Sequence, residues 1–395
     1  MDNVYFRSGC TLFDMVVGGA KDKFGFPAGK FINIVGDRSS GKTFLANEMI
    51  AWAYHNLDKN NFKWVYDDCE SGYSFDTESM FGFNVLNDES KHSTTVEEAF
   101  CNIADFANKL KDNQYGIYVL DSLDALTSTE QNERADERIK SYINGKNYDK
   151  GSYNMTKQKY LSQEFFPQLC SKIENKNILV IIVSQIRENI DMFSFEKYTR
   201  SGGKALDFYA YAVVWLATCK KIERKGVPIG VVVKAKTTKL KAPRPFRECF
   251  FSFLYDYGLD TVGTNIDYLF DLRTSTGDLN VKAKLIQWDN DNKNTLTELN
   301  DFLNENNIMS AYVRGRYYNK SESEIENIMN FIQSKKEHKE KYNERFGQTM
   351  NRDDLICYIE ENNLEDELER KVITKWESFE SSLQSQRKKR YGTIE

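Results

Sequence analysis

The chain has 395 residues, 40% hydrophobic and 29% charged, with 54 Lys and Arg against 59 Asp and Glu and a formal net charge of −5. This length favours two to three domains with a large core; no run approaches the roughly 18 apolar residues of a membrane span, and 13% aromatic content excludes a disordered chain. The negative balance excludes a histone-like binder but permits a local basic surface.

In chain order, short apolar runs fall at 31–35 (FINIV), 63–66 (KWVY), 117–120 (IYVL), 178–183 (ILVIIV), 212–216 (AVVWL), 229–233 (IGVVV) and 250–254 (FFSFL). Helical patterns at 44–55, 96–111 and 157–174 lie between the earlier runs. Those runs are continuous rather than alternating, as in strands covered on both faces, and predict a mainly parallel sheet flanked by helices. The last three, with short polar connections, predict antiparallel strands at one edge. An α/β core is expected over 1–262 and a smaller, mostly helical region of unassigned role over 263–395. In the latter, Leu364, Leu368, Val372, Trp376, Phe379 and Leu383 share one helix face; Ile325, Ile328, Met329 and Ile332 mark another helix, and 296–303 a third. The stretch 132–146 has no assignment. The basic end Arg387-Lys388-Lys389-Arg390 reads as a solvated tail, or as a weak phosphate contact.

Seven scattered cysteines, never at CxxC spacing, and three histidines give no zinc pattern. They read as the reduced thiols of a cytoplasmic protein, and the first residues show no secretory pattern.

Gly36-Asp37-Arg38-Ser39-Ser40-Gly41-Lys42-Thr43 fits GxxxxGK[ST] directly after FINIV and before a helical pattern. Such a loop turns backbone N–H groups inward as an anion nest at a helix N-terminus. Lys42 would reach the β- and γ-phosphates of ATP, and the Thr43 hydroxyl would bind Mg²⁺. Asp121, ending IYVL, is the second candidate for the metal. Hydrolysis also needs a group that orients water. KWVY runs into Asp67, Asp68, Cys69 and Glu70; Glu70 is the candidate base, with Asp67 and Asp68 as rivals that spacing does not separate. Residues 219–247 hold ten basic side chains and one acid, Glu223. They form either a solvated edge hairpin guarded by lysines or a surface facing phosphate or another subunit.

Further segments follow a recognisable order. Phe26 to Lys30 (FPAGK) resembles an LPxGR/K entry, and Ser39 to Thr43 is SSGKT. Leu120 to Leu126 (LDSLDAL) resembles VDSVAAL, and Ser184 to Arg187 (SQIR) resembles NQIR. Ser201 to Ala210 (SGGKALDFYA) is similar to GGNALKFYA, and Lys239 to Phe246 (KLKAPRPF) to KxKxxxPF. Over about residues 4–260 the chain thus resembles the RecA-type recombinases, including phage UvsX-like members.

The resemblance implies a RecA-like P-loop ATPase core using ATP and Mg²⁺. It makes Glu70 the activator of water and Gln185 the sensor of the γ-phosphate. Lys239 and Lys241 would reach the nucleotide of a neighbouring subunit, and Tyr255 would lie near adenine, a core tyrosine being the plain alternative. Two DNA-binding loops are implied: one near Lys150, Gly151, Ser152 and Tyr153, with Lys157 and Lys159 at the next helix, and one over 191–204 with Phe193, Lys197, Arg200, Gly202, Gly203 and Lys204. The partners would be single-stranded DNA, duplex DNA during pairing, and further copies of the chain in a filament or ring, with no membrane. The implied activity is a DNA-dependent ATPase promoting homologous pairing and strand exchange in recombination and repair, in a bacterial or phage-infected cytoplasm. A mediator, annealing protein or loader without strand exchange is the alternative on the same core; a binding protein using nucleotide as a structural switch is a third.

Overall fold

Phe31 to Val35 are all buried, and around them forms the strand β1 (Lys30–Gly36) at the centre of an eight-stranded sheet. The computed structural model describes residues 4–145, 156–188, 198–200, 202–279, 286–288, 296–308, 328, 331–346, 349–385 and 387. In chain order its main elements are α1 (Thr11–Gly18), β1, α2 (Lys42–Asn56), β2 (Phe62–Asp68), α3 (Val96–Lys109), β3 (Tyr115–Asp121), α4 (Thr129–Ile143), α5 (Phe166–Ile173), β4 (Ile178–Gln185), α6 (Gly203–Tyr209), β5 (Ala212–Arg224), β6 (Val227–Leu240), β7 (Glu248–Leu254) and β8 (Gly258–Leu259).

The strand order is β8-β7-β6-β5-β1-β4-β3-β2. From β5 to β2 every neighbour is parallel; β6, β7 and β8 add antiparallel strands at one edge. The sheet is therefore mainly parallel, as its unbroken apolar runs require. One detail differs from expectation: AVVWL belongs to both halves, since β5 runs parallel to β1 and antiparallel to β6. The chain reaches β5 through α6, and a helical crossover is what lets a strand join its neighbour in parallel.

The hairpin β5–β6 is also much longer than its apolar runs. Ala212 to Val214 and Leu216 are buried, whereas Ala217 to Lys221 are exposed, and the turn at Lys225-Gly226 takes left-handed backbone at both residues. The outer half carries polar side chains on both faces, so no hydrophobic pattern announces it.

Helix α3 shows how a flank is built. Thr95 caps it by accepting the Glu98 N–H at 3.2 Å, and Val96, Ala99, Ile103 and Ala107 form its buried stripe. These pack in one cluster with Phe165, Phe166, Leu169 and Ile173 and with Phe31, Tyr118 and Val180 of the sheet. The rings of Phe31 and Phe166 stack with centroids 5.6 Å apart; each such buried side chain contributes about 1.5–3 kcal/mol. The helical pattern at 157–174 is realised as Thr156–Tyr160, a π-helical turn Leu161–Phe165, and α5 with Pro167 in its first turn. The unassigned stretch 132–146 falls largely on α4, which starts with a Ser128/Gln131 capping box and has no buried residue.

The chain divides into two compact units, Met1–Thr261 and Val262–Glu395. The second holds α8 (Leu296–Glu305), α9 (Lys336–Phe346), α10 (Arg352–Glu361) and α11 (Glu365–Ser382), after α7 (Thr261–Leu269), which starts at the boundary. Phe302, Leu303, Ile308, Ile328, Ile332 and Tyr342 form its small core cluster. On α11 the expected stripe buries Leu368, Val372 and Trp376, whereas Phe379 and Leu383 stand 50% and 55% exposed. Asp267 is buried against the guanidinium groups of Arg273 and Arg352, each at 2.6 Å. Among the described residues no helix is long and apolar enough to cross a membrane.

Candidate functional site

At the C-terminal end of β1 the chain turns through Gly36–Gly41 into α2. Two glycines are dictated by space and backbone. A Cβ on Gly36 would lie 2.3 Å from Ser40 Oγ and 2.6 Å from the Leu216 carbonyl. Gly41 has φ +86°, and a Cβ there would meet the Phe253 ring at 2.7 Å. Ser39 also takes a left-handed φ of 59°. Asp37 and Arg38 are exposed on the outside of the loop. Ser40 is buried, and its Oγ has no hydrogen-bond partner among the described residues, an orphaned polar atom inside the cradle.

Lys42 is buried, and its Nζ donates back across the loop to the Asp37 carbonyl at 2.7 Å. Burial pulls its pKa down, opposed by the charges of Asp121, Glu70, Asp37 and Asp124. The Thr43 hydroxyl donates to Asp121 Oδ2 at 2.6 Å. The phenol of Tyr66, on β2, donates to the same oxygen at 2.6 Å. Burial raises the Asp121 pKa, and the two hydroxyls counter it.

Glu70 lies just beyond β2. Its Oε1 accepts the Ser122 hydroxyl at 2.5 Å and the Gln185 side-chain N–H at 2.6 Å. The ends of β1, β2, β3 and β4 thus converge where parallel sheets bind ligands. Asp67 and Asp68 do not join them. Asp67 is fully buried and accepts from Ser93 N, Ser93 Oγ and the Tyr118 hydroxyl; Asp68 accepts the Tyr73 N–H at 3.2 Å.

Beside the loop opens a pocket of about 380 Å³, lined by Ser39 to Phe44 and by Phe75, Val231, Phe253 and Tyr255. Phe44 packs on Phe253 at 4.5 Å between centroids and edge-on to Phe75 at 5.9 Å. Tyr255 is 53% exposed at its mouth rather than in the core. Phe44, Phe75 and Phe253 have no sequence signal of their own, because only the fold brings them to the loop.

Lys239 and Lys241 are elsewhere. In register, Leu240 faces Ala212 and Ala212 faces Ile32, whereas the phosphate loop begins at Gly36, opposite Leu216. Four residues of strand separate them, roughly 13 Å. Here the two lysines hold the C-terminal carbonyls of α6: Lys239 donates to Asp207 and Phe208, and Lys241 to Tyr209. Burial, and then the neighbouring Lys241, lower the Lys239 pKa to about 8.

Of the expected DNA-binding residues, Lys150, Gly151, Ser152, Tyr153, Phe193 and Lys197 lie outside the described residues. Lys159 and Lys204 are exposed. Lys157 instead donates to the Leu123 and Leu126 carbonyls at 2.8 and 2.6 Å. Arg200 is turned inward: its side chain is 6% exposed, ion-paired with Asp207 and placed over the Trp215 ring. Gly202 is buried and caps α6 with left-handed backbone, and Gly203 follows in the same region.

Residues 4–260 match the family described as RecA N-terminal domain. The chain belongs to the RecA family. Protein RecA of Ehrlichia ruminantium (strain Gardel) is 29% identical over 243 residues, 62% of this chain and 62% of that protein. Protein RecA of Azoarcus sp. (strain BH72) is 29% identical over 243 residues, 62% of this chain and 64% of its own length. The chain therefore spans less than two thirds of the RecA proteins it matches. A solved structure of the RadB recombinase covers 64% of this chain and 98% of its own at 19% identity, with a TM-score of 0.42, too loose to bear on the assignment. The RecA match ends one residue before the boundary between the two units, so the helical unit lies outside it.

Proposed function

We propose that this RecA-family chain binds and hydrolyses ATP, is stimulated by single-stranded DNA, and promotes homologous pairing and strand exchange. The observation that carries the reading is the gathering of two hydrogen-bonded pairs, Thr43–Asp121 and Gln185–Glu70, at the ends of four adjacent parallel strands, with the Lys42 ammonium in the field of Asp121 and Glu70.

The residues fit the chemistry. Backbone N–H groups of 36–43 and the Lys42 ammonium cradle the phosphates, and the aromatic pocket ending at Tyr255 takes the base. Thr43 and Asp121 present two hard oxygen atoms 2.6 Å apart, a donor pair suited to Mg²⁺. When bound, Mg²⁺ supplies charge neutralisation on the phosphate oxygens. Tyr66 keeps Asp121 oriented when Thr43 turns away from it. Glu70 orients the attacking water and takes its proton, its free rotation checked by Ser122 and Gln185. Gln185 exchanges Glu70 for the γ-phosphate and passes the change to the residues after β4. Lys239 and Lys241 cannot reach the loop of their own chain across the sheet. On this reading they leave α6 and serve a neighbour's phosphates once copies assemble as a filament or ring.

Phosphate release by purified protein, with and without single-stranded DNA, tests the reading. DNA-stimulated, Mg²⁺-dependent turnover is expected. No turnover, or turnover indifferent to DNA, overturns it. A strand-exchange assay on the same preparation tests the pairing step.

A further inference from the structure

Asp124 lies three residues beyond Asp121, on the turn that leaves β3, and is only partly buried. Its Oδ2 accepts the backbone N–H of Gln185 at 2.7 Å. The Gln185 side chain meanwhile donates to Glu70 at 2.6 Å. One residue is thus held at both ends: its side chain by the group proposed to orient water, its backbone by a carboxylate outside the phosphate site. Gln185 is also the last residue of β4, where the chain departs for the segment that returns at Arg200. The returning end senses the same carboxylate: Asp124 is among the charges acting on Arg200, after its partner Asp207.

We propose that Asp124 is a positioning residue that fixes the pivot of Gln185, so that exchange of the Gln185 side chain between Glu70 and a phosphate is transmitted to the residues that directly follow β4. This inference rests on the function proposed above. The physical argument is that of a lever. A side chain that changes partner moves its own backbone unless something stronger restrains it. A hydrogen bond to a charged acceptor is such a restraint. With the N–H pinned, rotation passes through the carbonyl side of Gln185 into Ile186 and beyond; with it free, the motion dissipates at the strand end. β4 pairs with β1 up to Gln185, facing Gly36, and the Ile186 N–H donates to the Gly36 carbonyl at 3.3 Å, so the pivot stands where the strand leaves the phosphate loop and its movement bears on that bond.

The test compares wild type, Asp124→Ala and Asp124→Asn. The readout is the ratio of single-stranded DNA affinities with and without a non-hydrolysable ATP analogue, beside KM for ATP and thermal melting. Asp124→Asn retains an oxygen that accepts the Gln185 N–H, so its ratio is expected within about threefold of wild type. Asp124→Ala removes the acceptor and is expected to lower the ratio about tenfold with KM for ATP unchanged. Should the alanine variant not fold, hydrogen exchange on wild type decides: the Gln185 amide should be protected with and without nucleotide. An Asp124→Ala protein that keeps the wild-type ratio overturns the inference, as does rapid exchange at Gln185. A wild type whose DNA affinity ignores nucleotide overturns the proposed function together with this inference, whereas coupling retained in the alanine variant overturns the inference alone.

Discussion

At the scale of single residues, the site rests on side chains whose partners are fixed before any ligand arrives. Lys42 is buried and bonded across its own loop, so Lys42→Ala removes the one cation inside the described cradle. ATP turnover should fall at least about a hundredfold, read as phosphate release. Glu70→Gln keeps the shape and the contact to Ser122 but removes the carboxylate proposed to take the proton; nucleotide binding should persist while turnover drops by about 10²–10⁴, measured by equilibrium binding beside single-turnover kinetics. The phosphate loop and Asp121 were legible because their chemistry is written in contiguous residues flanked by a strand and a helix. That Asp67 is engaged elsewhere was not, because its partners Ser93 and Tyr118 meet it only in the folded sheet. Nor were the partners of Arg200: a cation in a basic loop looks available in one dimension, while the fold turns it onto Asp207 and Trp215.

At the scale of elements, helix α2 is tethered to the sheet edge by Glu48, whose Oε1 accepts the Leu259 N–H of β8 at 2.8 Å. Burial raises the Glu48 pKa from 4.5 to about 7. Below the lower value the carboxyl is protonated in both folded and unfolded chains. Between the two, the unfolded chain releases its proton first, so stability falls as pH rises, and above about 7 the full penalty is present. Glu48→Gln should therefore stabilise the chain at pH 8 by about 1–2 kcal/mol, allowing for the partial exposure of the group, and leave it unchanged near pH 4. Denaturant melts across that range check it. The parallel strands were readable because burial on both faces makes their apolar runs continuous. The length of β5–β6 was not, because its outer half buries nothing. The parallel pairing of β5 with β1 depends on the crossover through α6, which no local pattern encodes.

At the scale of the whole molecule, register keeps Lys239 and Lys241 away from the phosphate loop of their own chain. If they act on a neighbour, two crippled chains should rescue one another. A Lys42→Ala chain retains the lysines, and a Lys239→Ala/Lys241→Ala chain retains the loop. Each alone should be inactive, and their mixture should recover roughly a quarter to a half of wild-type turnover, by the statistics of mixed neighbours. An inactive mixture would show that the lysines work within one chain or not at all. The chain divides at Thr261/Val262, and the partners of the helical unit cannot be read from any motif in it.

The hairpin β5–β6 has a practical corollary. Its inner residues are woven into the sheet, while the turn at Lys225-Gly226 stands clear of it on solvated strands. A dye or short affinity handle spliced at that tip would leave the strand pairing around the phosphate loop intact. It would turn a ribbon of lysines into a reporter for whatever polyanion settles against it.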